Sequence, residues 1–338
     1  MTSDLRVACV GAGYFSRFHT DSWQRMLGAA LVGVCDLDLD KARATGVAAF
    51  DDLAAMLGKV QPDIVDIILP PYAQADAIDI ALDAKPSAII CQKPFCKSLK
   101  EAAAVTSRAN EAGVPLIVHE NFRFQPWYRL IKNVMDRGEI GAVRQVGFRL
   151  RPGDGQGHDA YLDRQPYFRR MPRLLVHETG VHFLDVFRYL LGPVSHIYAD
   201  LRQENPVLIG EDAGVLLLDH KAGARSVFDG NRCLDHSADN TRRTMGEGLI
   251  EGTAGTLTLT GYGAVHLRKF GAMAGRQILG PDTFEGFGGD CTHALQSHVI
   301  AHFHHDMPLE NTATDYLTVR HMEEAAYQSA ALGRKIAL

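Results

Sequence analysis

The apolar run Leu5–Val10 empties directly into Gly11-Ala12-Gly13-Tyr14-Phe15-Ser16, and helical spacing follows at once. Glycines at the first two places of such a turn permit a sharp bend and close approach of the backbone. The N–H groups that open the helix can then meet a pyrophosphate. Ser16 stands at the third place, where Gly or Ala is more usual, and is small enough for close helix–strand packing. Glycine turns after strands also occur as plain structural devices, so the context decides. Here the second strand ends Val34-Cys35-Asp36-Leu37-Asp38, which sets the acid Asp36 where adenosine ribose hydroxyls would be recognised. A 2′-phosphate beside Asp36 and Asp38 would meet like charge, so the pattern predicts NAD rather than NADP.

The rest of the N-terminal third keeps the same rhythm. Strand-like runs at 5–10, 30–35, 63–69, 87–91 and 115–119 alternate with helical spacing at 15–27, 39–46, 73–84 and 99–112. The last helix opens on the capping-box pattern Ser98-Leu99-Lys100-Glu101 and closes on Gly113 before Pro115. Short apolar strands alternating with helices predict an α/β fold, a doubly wound parallel sheet of Rossmann type. After Phe122 the pattern changes to a helix at 127–137, a strand at Val143–Leu150, and a loop at 151–173 rich in Gly, Asp, Tyr and Arg. A helix at 174–191, successive strands from 194 to 279, and two helices at 291–306 and 314–332 complete the chain. This second part reads as an α+β domain with a large open-faced mixed or antiparallel sheet. The predicted domains are 1–121 and 122–338, a division that suits 338 residues.

Composition narrows the classes of partner. A net charge of -5 offers no basic footprint for nucleic acid and no attraction to an anionic membrane. No apolar run approaches the ~18 residues of a membrane span. The six cysteines form no CxxC pair, and several lie in strand-like runs where a reduced thiol behaves as a small hydrophobe. The expectation is a cytoplasmic protein acting on a small molecule.

Two stretches carry the chemistry. Cys91-Gln92-Lys93-Pro94-Phe95 ends the fourth main strand, at the sheet edge where ligands of such folds bind. Lys93 there can hold or polarise a reacting oxygen, although a single lysine is more often a solvated surface group. The second stretch is His177-Glu178-Thr179-Gly180-Val181-His182-Phe183-Leu184-Asp185, within helical spacing. At about 100° per residue, Glu178 and His182 fall about 40° apart and Asp185 within about 20° of Glu178. A histidine between two carboxylates on one stripe suits proton transfer near neutral pH. The competing possibility is a polar helix face that merely bridges to the other domain. His177 and His182 are five apart, unlike the i, i+4 pair of a zinc protease helix. His298 and His302 have that spacing, within a tract that also holds His293, His304 and His305, but no carboxylate pattern accompanies them. No metal is expected.

Together these residues resemble the glucose–fructose oxidoreductase/inositol dehydrogenase/MocA family over essentially the whole chain. The resemblance rests on the glycine turn, the Lys-Pro motif, Asn121-Phe122-Arg123-Phe124 at the junction, and the helix with Gly180, His182 and Asp185. It implies an NAD-dependent sugar dehydrogenase in which Lys93, His182, Glu178 and Asp185 form the catalytic set. It further implies cofactor contacts from Gly11, Gly13, Tyr14, Phe15, Ser16, Asp36, Leu69, Pro70, Gln74, Gln92, Lys93 and Asn121, and pairing of subunits through the open sheet into a homodimer or homotetramer. Three departures stand out: Gln92-Lys93-Pro94 for the usual Glu-Lys-Pro, Glu178 for the usual Asp, and Leu69-Pro70-Pro71-Tyr72-Ala73-Gln74 for Thr-Pro-Asn-x-x-His. Within the family, the run from His119 to Tyr128, Asp159-Ala160-Tyr161-Leu162, Gln165-Pro166-Tyr167-Phe168 and Pro172-Arg173-Leu174-Leu175 resemble enzymes that oxidise the branched pentose D-apiose at C1. Arg123, Tyr161, Arg164, Gln165, Tyr167, Glu178 and His182 are then the candidate sugar contacts. A glycosidase using NAD for transient oxidation, another polyol or inositol dehydrogenase, and a non-enzymatic NAD-binding regulator are the alternatives.

Overall fold

A computed structural model describes residues 4–338. The chain divides into two compact units, one formed by residues up to Asn121 with Thr292–Arg320, the other by Phe122–Cys291 with His321–Leu338. The break after residue 121 falls where the rhythm changes. Residues 292–320, expected to complete the second domain, instead belong to the first unit. Their attachment has a physical reason, because they cover a sheet edge: Val118 N–H donates to the Asn311 carbonyl at 2.8 Å, and Asn311 Nδ2 to the Glu120 carbonyl at 2.7 Å.

The first unit contains β1 (Leu5–Val10), α1 (Ser16–Gln24), β2 (Ala29–Cys35), α2 (Leu39–Arg43), β3 (Ala49–Phe50), α3 (Leu53–Val60), β4 (Ile64–Ile67), α4 (Pro71–Asp83), β5 (Ala88–Gln92), α5 (Leu99–Ala112) and β6 (Leu116–His119). Its six strands are parallel, in the order β3-β2-β1-β4-β5-β6. The order reverses between β1 and β4, which makes the carboxyl ends of these strands the place where a ligand can enter. Val7, Ala8, Cys9, Ile64, Val65, Ile67, Ile89 and Ile90 are buried, as strands covered on both faces require. Sequence reading omits β3 and α3. Asp51-Asp52 looks like a polar loop, yet Asp52 is the cap of α3, its carboxylate accepting from Ala55 N–H at 2.7 Å.

The second unit contains α6 (Pro126–Asp136), β7 (Val143–Leu150), a π-helical turn Leu175–Gly180 that runs into α7 (Val181–Leu191), β8 (Val194–Arg202), β9 (Ala213–His220), β10 (Arg225–Asn231), β11 (Gly246–Gly252), β12 (Gly255–Leu259), β13 (Val265–Lys269) and β14 (Arg276–Leu279). Helices α8 (Cys291–His305) and α9 (Ala313–Leu332) and strand β15 (Ile336–Ala337) end the chain. The nine strands form one mixed sheet, β14-β13-β12-β11-β7-β10-β9-β8-β15, whose parallel pair is β7 with β10. Burial alternates along it: Phe148, Leu216, Leu218, Phe228, Ile250, Leu257 and Leu267 point inward, while Val215 and Leu249 are exposed. On the inner face α7 docks through Phe183, whose ring stacks on Phe148 at 4.1 Å and lies 5.1 Å from Phe228. Among the described residues, no helix is long and apolar enough to cross a membrane.

The cap of α5 matches the sequence pattern with one change. Ser98 Oγ accepts from Glu101 N–H at 3.2 Å, while the Glu101 carboxylate reaches back to Lys97 N–H at 3.1 Å. Replacing Ser98→Ala is expected to lower stability by about 1 kcal/mol, read as a shift of the denaturation midpoint; an unchanged midpoint would show that Glu101 alone suffices.

Candidate active site

The residues expected to meet the cofactor follow the carboxyl ends of the first sheet's strands, with Gln74 in α4. Gly11 has φ +101°, and a Cβ on it would lie 2.5 Å from the Ile68 carbonyl oxygen, so no other residue fits. Gly13 differs: a Cβ there would meet nothing within 4 Å. That open space is the cradle that close approach of a pyrophosphate needs. Ser16 Oγ donates to the Gly13 carbonyl at 2.6 Å and closes the turn. The N-terminus of α1 has no side-chain cap, which leaves its dipole and N–H groups for an anion. Tyr14 is exposed beside Arg17, whose guanidinium lies 4.4 Å from the ring centre, and Phe15 packs on Phe18. Asp36 is pinned by main chain, accepting from Ala12 N–H at 2.6 Å and Asp38 N–H at 2.9 Å. A carboxylate has about four acceptor positions, so capacity for ribose hydroxyls remains. These features fit a dinucleotide.

Leu69 and Pro70 follow β4, and Leu69 comes beside Gly11. Gln74 is fully buried, and its amide holds three main-chain groups. Nε2 donates to the carbonyls of Leu69 at 3.0 Å and Gln92 at 2.8 Å, and Oε1 accepts from Cys96 N–H at 2.7 Å. With both N–H groups engaged, Gln74 braces the chain on both sides of Lys93. Lys93 lies one residue beyond β5, half-buried, with its N–H on Gln92 Oε1 at 2.7 Å. Asn121 is buried, its amide 3.5 Å from Thr292 Oγ1.

In the second unit, His182 is buried on α7 with its ring stacked on Phe122 at 3.7 Å and 4°. The next residue, Arg123, grips the same helix. Its Nε and Nη2 donate to the two oxygens of buried Asp185 at 2.8 and 2.5 Å. Two consecutive residues of one 3-10 turn therefore set the rotation of α7 about His182. Arg123, expected to meet a sugar, and Asp185, expected in the catalytic set, are engaged with each other in this bidentate pairing.

Glu178 sits in the π-turn, where hydrogen bonds span i to i+5 and the 100° step used to place it beside His182 does not apply. Burial pushes the Tyr167 phenol up, and the charge of Glu178 adds to that. Burial lowers the Arg232 guanidinium, but Asp154 and Tyr161, with a smaller share from Glu178, raise it on balance. Gln165 Nε2 donates to Tyr167 Oη at 3.2 Å. Tyr161 and Arg164 face inward and converge on two groups that sequence reasoning missed, Asp154 and Arg232. Arg232 is buried; its Nε donates to Tyr161 Oη at 2.6 Å, Nη1 to Thr179 Oγ1 at 2.6 Å and Nη2 to Asp154 Oδ2 at 3.0 Å. Arg164 Nη2 donates to the same Oδ2 at 3.0 Å, and Tyr161 Oη to Asp154 Oδ1 at 3.1 Å. Burial works to raise the Asp154 carboxyl, but the charges of Arg232 and Arg164 outweigh it and hold the group below its ordinary range. A Cβ on Gly155 would lie 2.9 Å from Arg232 Cβ, so the glycine makes room for this knot. The 151–173 loop is thereby a tied structure, its Tyr161 held at φ +68° above the cluster of Ala160, Phe168, Leu174 and Leu208. Only the Gly-Asp-Gly run at 153–155 could have hinted at it; nothing in the spacing points to Arg232.

The histidine pair at 298 and 302 is engaged by chain beyond α8: His298 Nε2 accepts from Glu310 N–H at 3.0 Å, and His302 Nδ1 lies 2.7 Å from the Met307 carbonyl oxygen.

Comparison with known proteins identifies the family. The family model described as an oxidoreductase family with an NAD-binding Rossmann fold matches residues 5–120, and the GFO/IDH/MocA C-terminal domain matches residues 128–258. D-apiose dehydrogenase of Paraburkholderia graminis is 32% identical over a 343-residue alignment that spans 98% of this chain and 89% of that protein. D-apiose dehydrogenase of Rhizobium rhizogenes is 31% identical, spanning 99% and 97%. An oxidoreductase from Agrobacterium radiobacter, solved with NAD+, L-tartaric acid and magnesium, has a TM-score of 0.89 at 28% identity, over 99% of this chain and 98% of its own.

Two outcomes follow from the geometry. Gly13→Ala is expected to weaken NAD binding about tenfold without moving the thermal midpoint, whereas Gly11→Ala lowers the midpoint; equal loss of stability in both would contradict the assignment of the open space. Arg232→Met is expected to destabilise the fold by about 3–5 kcal/mol at neutral pH. Asp154 has a depressed folded pKa, so its stabilisation is present above the ordinary carboxylate range and lost as pH falls through the folded value. The gap between variant and wild type should therefore narrow on acidification; a gap independent of pH would show that Arg232 acts by packing alone.

Proposed function

The chain belongs to the GFO/IDH/MocA oxidoreductase family and is an NAD-dependent sugar oxidoreductase; from that premise we propose that it oxidises an aldose at C1, with D-apiose the leading substrate. The observation that carries the reading is the placement of Lys93, one residue beyond β5 on the sheet edge that holds the Gly11–Ser16 turn and Asp36. Two relatives that match nearly the whole chain bear the name D-apiose dehydrogenase, which supports the choice of sugar.

Asp36 recognises the adenosine ribose, and the turn at Gly13 with the uncapped end of α1 receives the pyrophosphate. NAD, when bound, accepts a hydride. His182 takes the proton of the C1 hydroxyl, its ring orientation set by Phe122 and by the Arg123–Asp185 pair on the same helix. Lys93 donates a hydrogen bond to that oxygen and stabilises the charge that develops as the proton leaves. Glu178, Tyr167 and Gln165 recognise sugar hydroxyls from the loop that Arg232 and Asp154 tie down. The product is a lactone that water opens to the aldonic acid. Association of copies through the sheet face that exposes Val215 and Leu249 belongs to the same proposal.

The test is NADH formation with NAD or NADP against D-apiose, xylose, glucose and inositols. Turnover of one aldose with NAD is expected, lowered by about a hundredfold or more in Lys93→Ala and in His182→Ala. Binding of NAD without turnover of any free sugar would overturn the reading and direct attention to glycosides.

A further inference from the structure

A buried polar chain in the first unit remains without a task in this scheme. His19 on α1 and Asp66 in the middle of β4 are both inaccessible to solvent. Asp66 Oδ2 lies 2.8 Å from His19 Nδ1, and it accepts from Trp23 Nε1 at 2.7 Å and Gln296 Nε2 at 3.2 Å. On its other side, His19 Nε2 lies 3.1 Å from Gln92 Nε2. Gln92 in turn accepts the N–H of Lys93. Burying such groups costs several kcal/mol unless each is hydrogen-bonded, and apolar side chains serve packing at the neighbouring Ile64, Val65 and Ile67. Packing alone therefore does not account for the chain.

Its proton positions follow from one obligatory donor. The Lys93 main-chain N–H can only donate, so the Gln92 atom that faces it is Oε1. The amide nitrogen then points at His19 and donates to Nε2, which must carry a lone pair. The imidazole proton consequently sits on Nδ1, where Asp66 accepts it. Gln74 completes the arrangement from the opposite side, holding the Gln92 carbonyl and the Cys96 N–H.

We propose that Gln92 and His19, backed by Asp66, are positioning residues for Lys93, a hydrogen-bonded strut that fixes the lysine relative to the cofactor-binding helix α1. The inference rests on the reading of Lys93 as the group that meets the substrate oxygen. It also gives a reason for glutamine where the family usually has glutamate. A carboxylate at 92 could still accept from Lys93 N–H, but its other oxygen would require a donor at His19 Nε2, and the imidazole would have to carry both protons.

Long-range proton–nitrogen NMR of histidine-labelled enzyme reads this directly. Wild-type His19, assigned by the loss of its signals in His19→Asn, is expected to show a protonated Nδ1 and a bare Nε2, and in Gln92→Glu both nitrogens protonated. A proton on Nε2 in the wild type would overturn the strut without reference to activity. Asparagine keeps a donor for Asp66 but falls short of Gln92, so His19→Asn should lower kcat about 10- to 100-fold with KM for NAD near its wild-type value. Added to Lys93→Ala, it should have no further effect. Wild-type kcat in His19→Asn, or a further loss on top of Lys93→Ala, overturns positioning through the lysine. Full turnover in Lys93→Ala overturns instead the reading of the lysine on which the proposal stands.

Discussion

The absence of a side chain at Gly11 lets the turn after β1 lie directly against the Ile68 carbonyl, at a distance that any Cβ would close to 2.5 Å. Much of the first unit's chemistry hangs on that approach. It brings the start of α1 beside the segment that follows β4, and Gln74 then carries the alignment sideways from the Leu69 carbonyl to the Gln92 carbonyl and the Cys96 N–H. Asp36 joins from β2 by accepting from Ala12 N–H. Four strand ends are thus linked by close approach and by side-chain hydrogen bonds to main-chain groups, and the dinucleotide turn and Lys93 become parts of one rigid edge. Rigidity of this kind is what a catalytic amine needs, since a displacement of about 1 Å can lower a rate a hundredfold.

The second unit solves the same problem for its histidine by other means. Phe122 and Arg123 are consecutive, and one stacks on His182 while the other pairs with Asp185 a turn further along α7. Phe183 anchors that helix to the sheet through Phe148 and Phe228. Beside it, Arg232 and Asp154 hold the 151–173 loop, so residues such as Tyr167 and Gln165 are presented from a fixed base. In that knot the buried Arg232 uses all three of its guanidinium nitrogens, a connectivity that favours one conformation.

Features set by local chemistry were legible in the sequence. The bounds of β1 and α5, the glycine turn with Asp36 beyond it, and Lys93 after a strand all depend on a few neighbouring residues, and the structure places them as read. The α3 helix escaped because its first turn is introduced by two aspartates, one of which is the cap itself. The π-turn around Glu178 was not legible because it cannot be told from an α-helix by periodicity. Most of the remaining surprises are contacts between distant segments. Arg232 meets Asp154 across 78 positions, Gln92 meets His19 across 73, and residues 292–320 return to an edge strand laid down far earlier. Such partners have no fixed spacing, and only the folded chain reveals them.

The central claim is that a hydride leaves C1 of an aldose for NAD under the care of Lys93 and His182. Deuterating D-apiose at C1 and following the nicotinamide C4 position of the NADH produced, by proton NMR, tests it most directly. The account predicts that the label appears at C4, in a single stereochemical position, and that a sugar labelled elsewhere transfers none. Unlabelled NADH from the C1-deuterated sugar, or label arriving from another carbon, would contradict it.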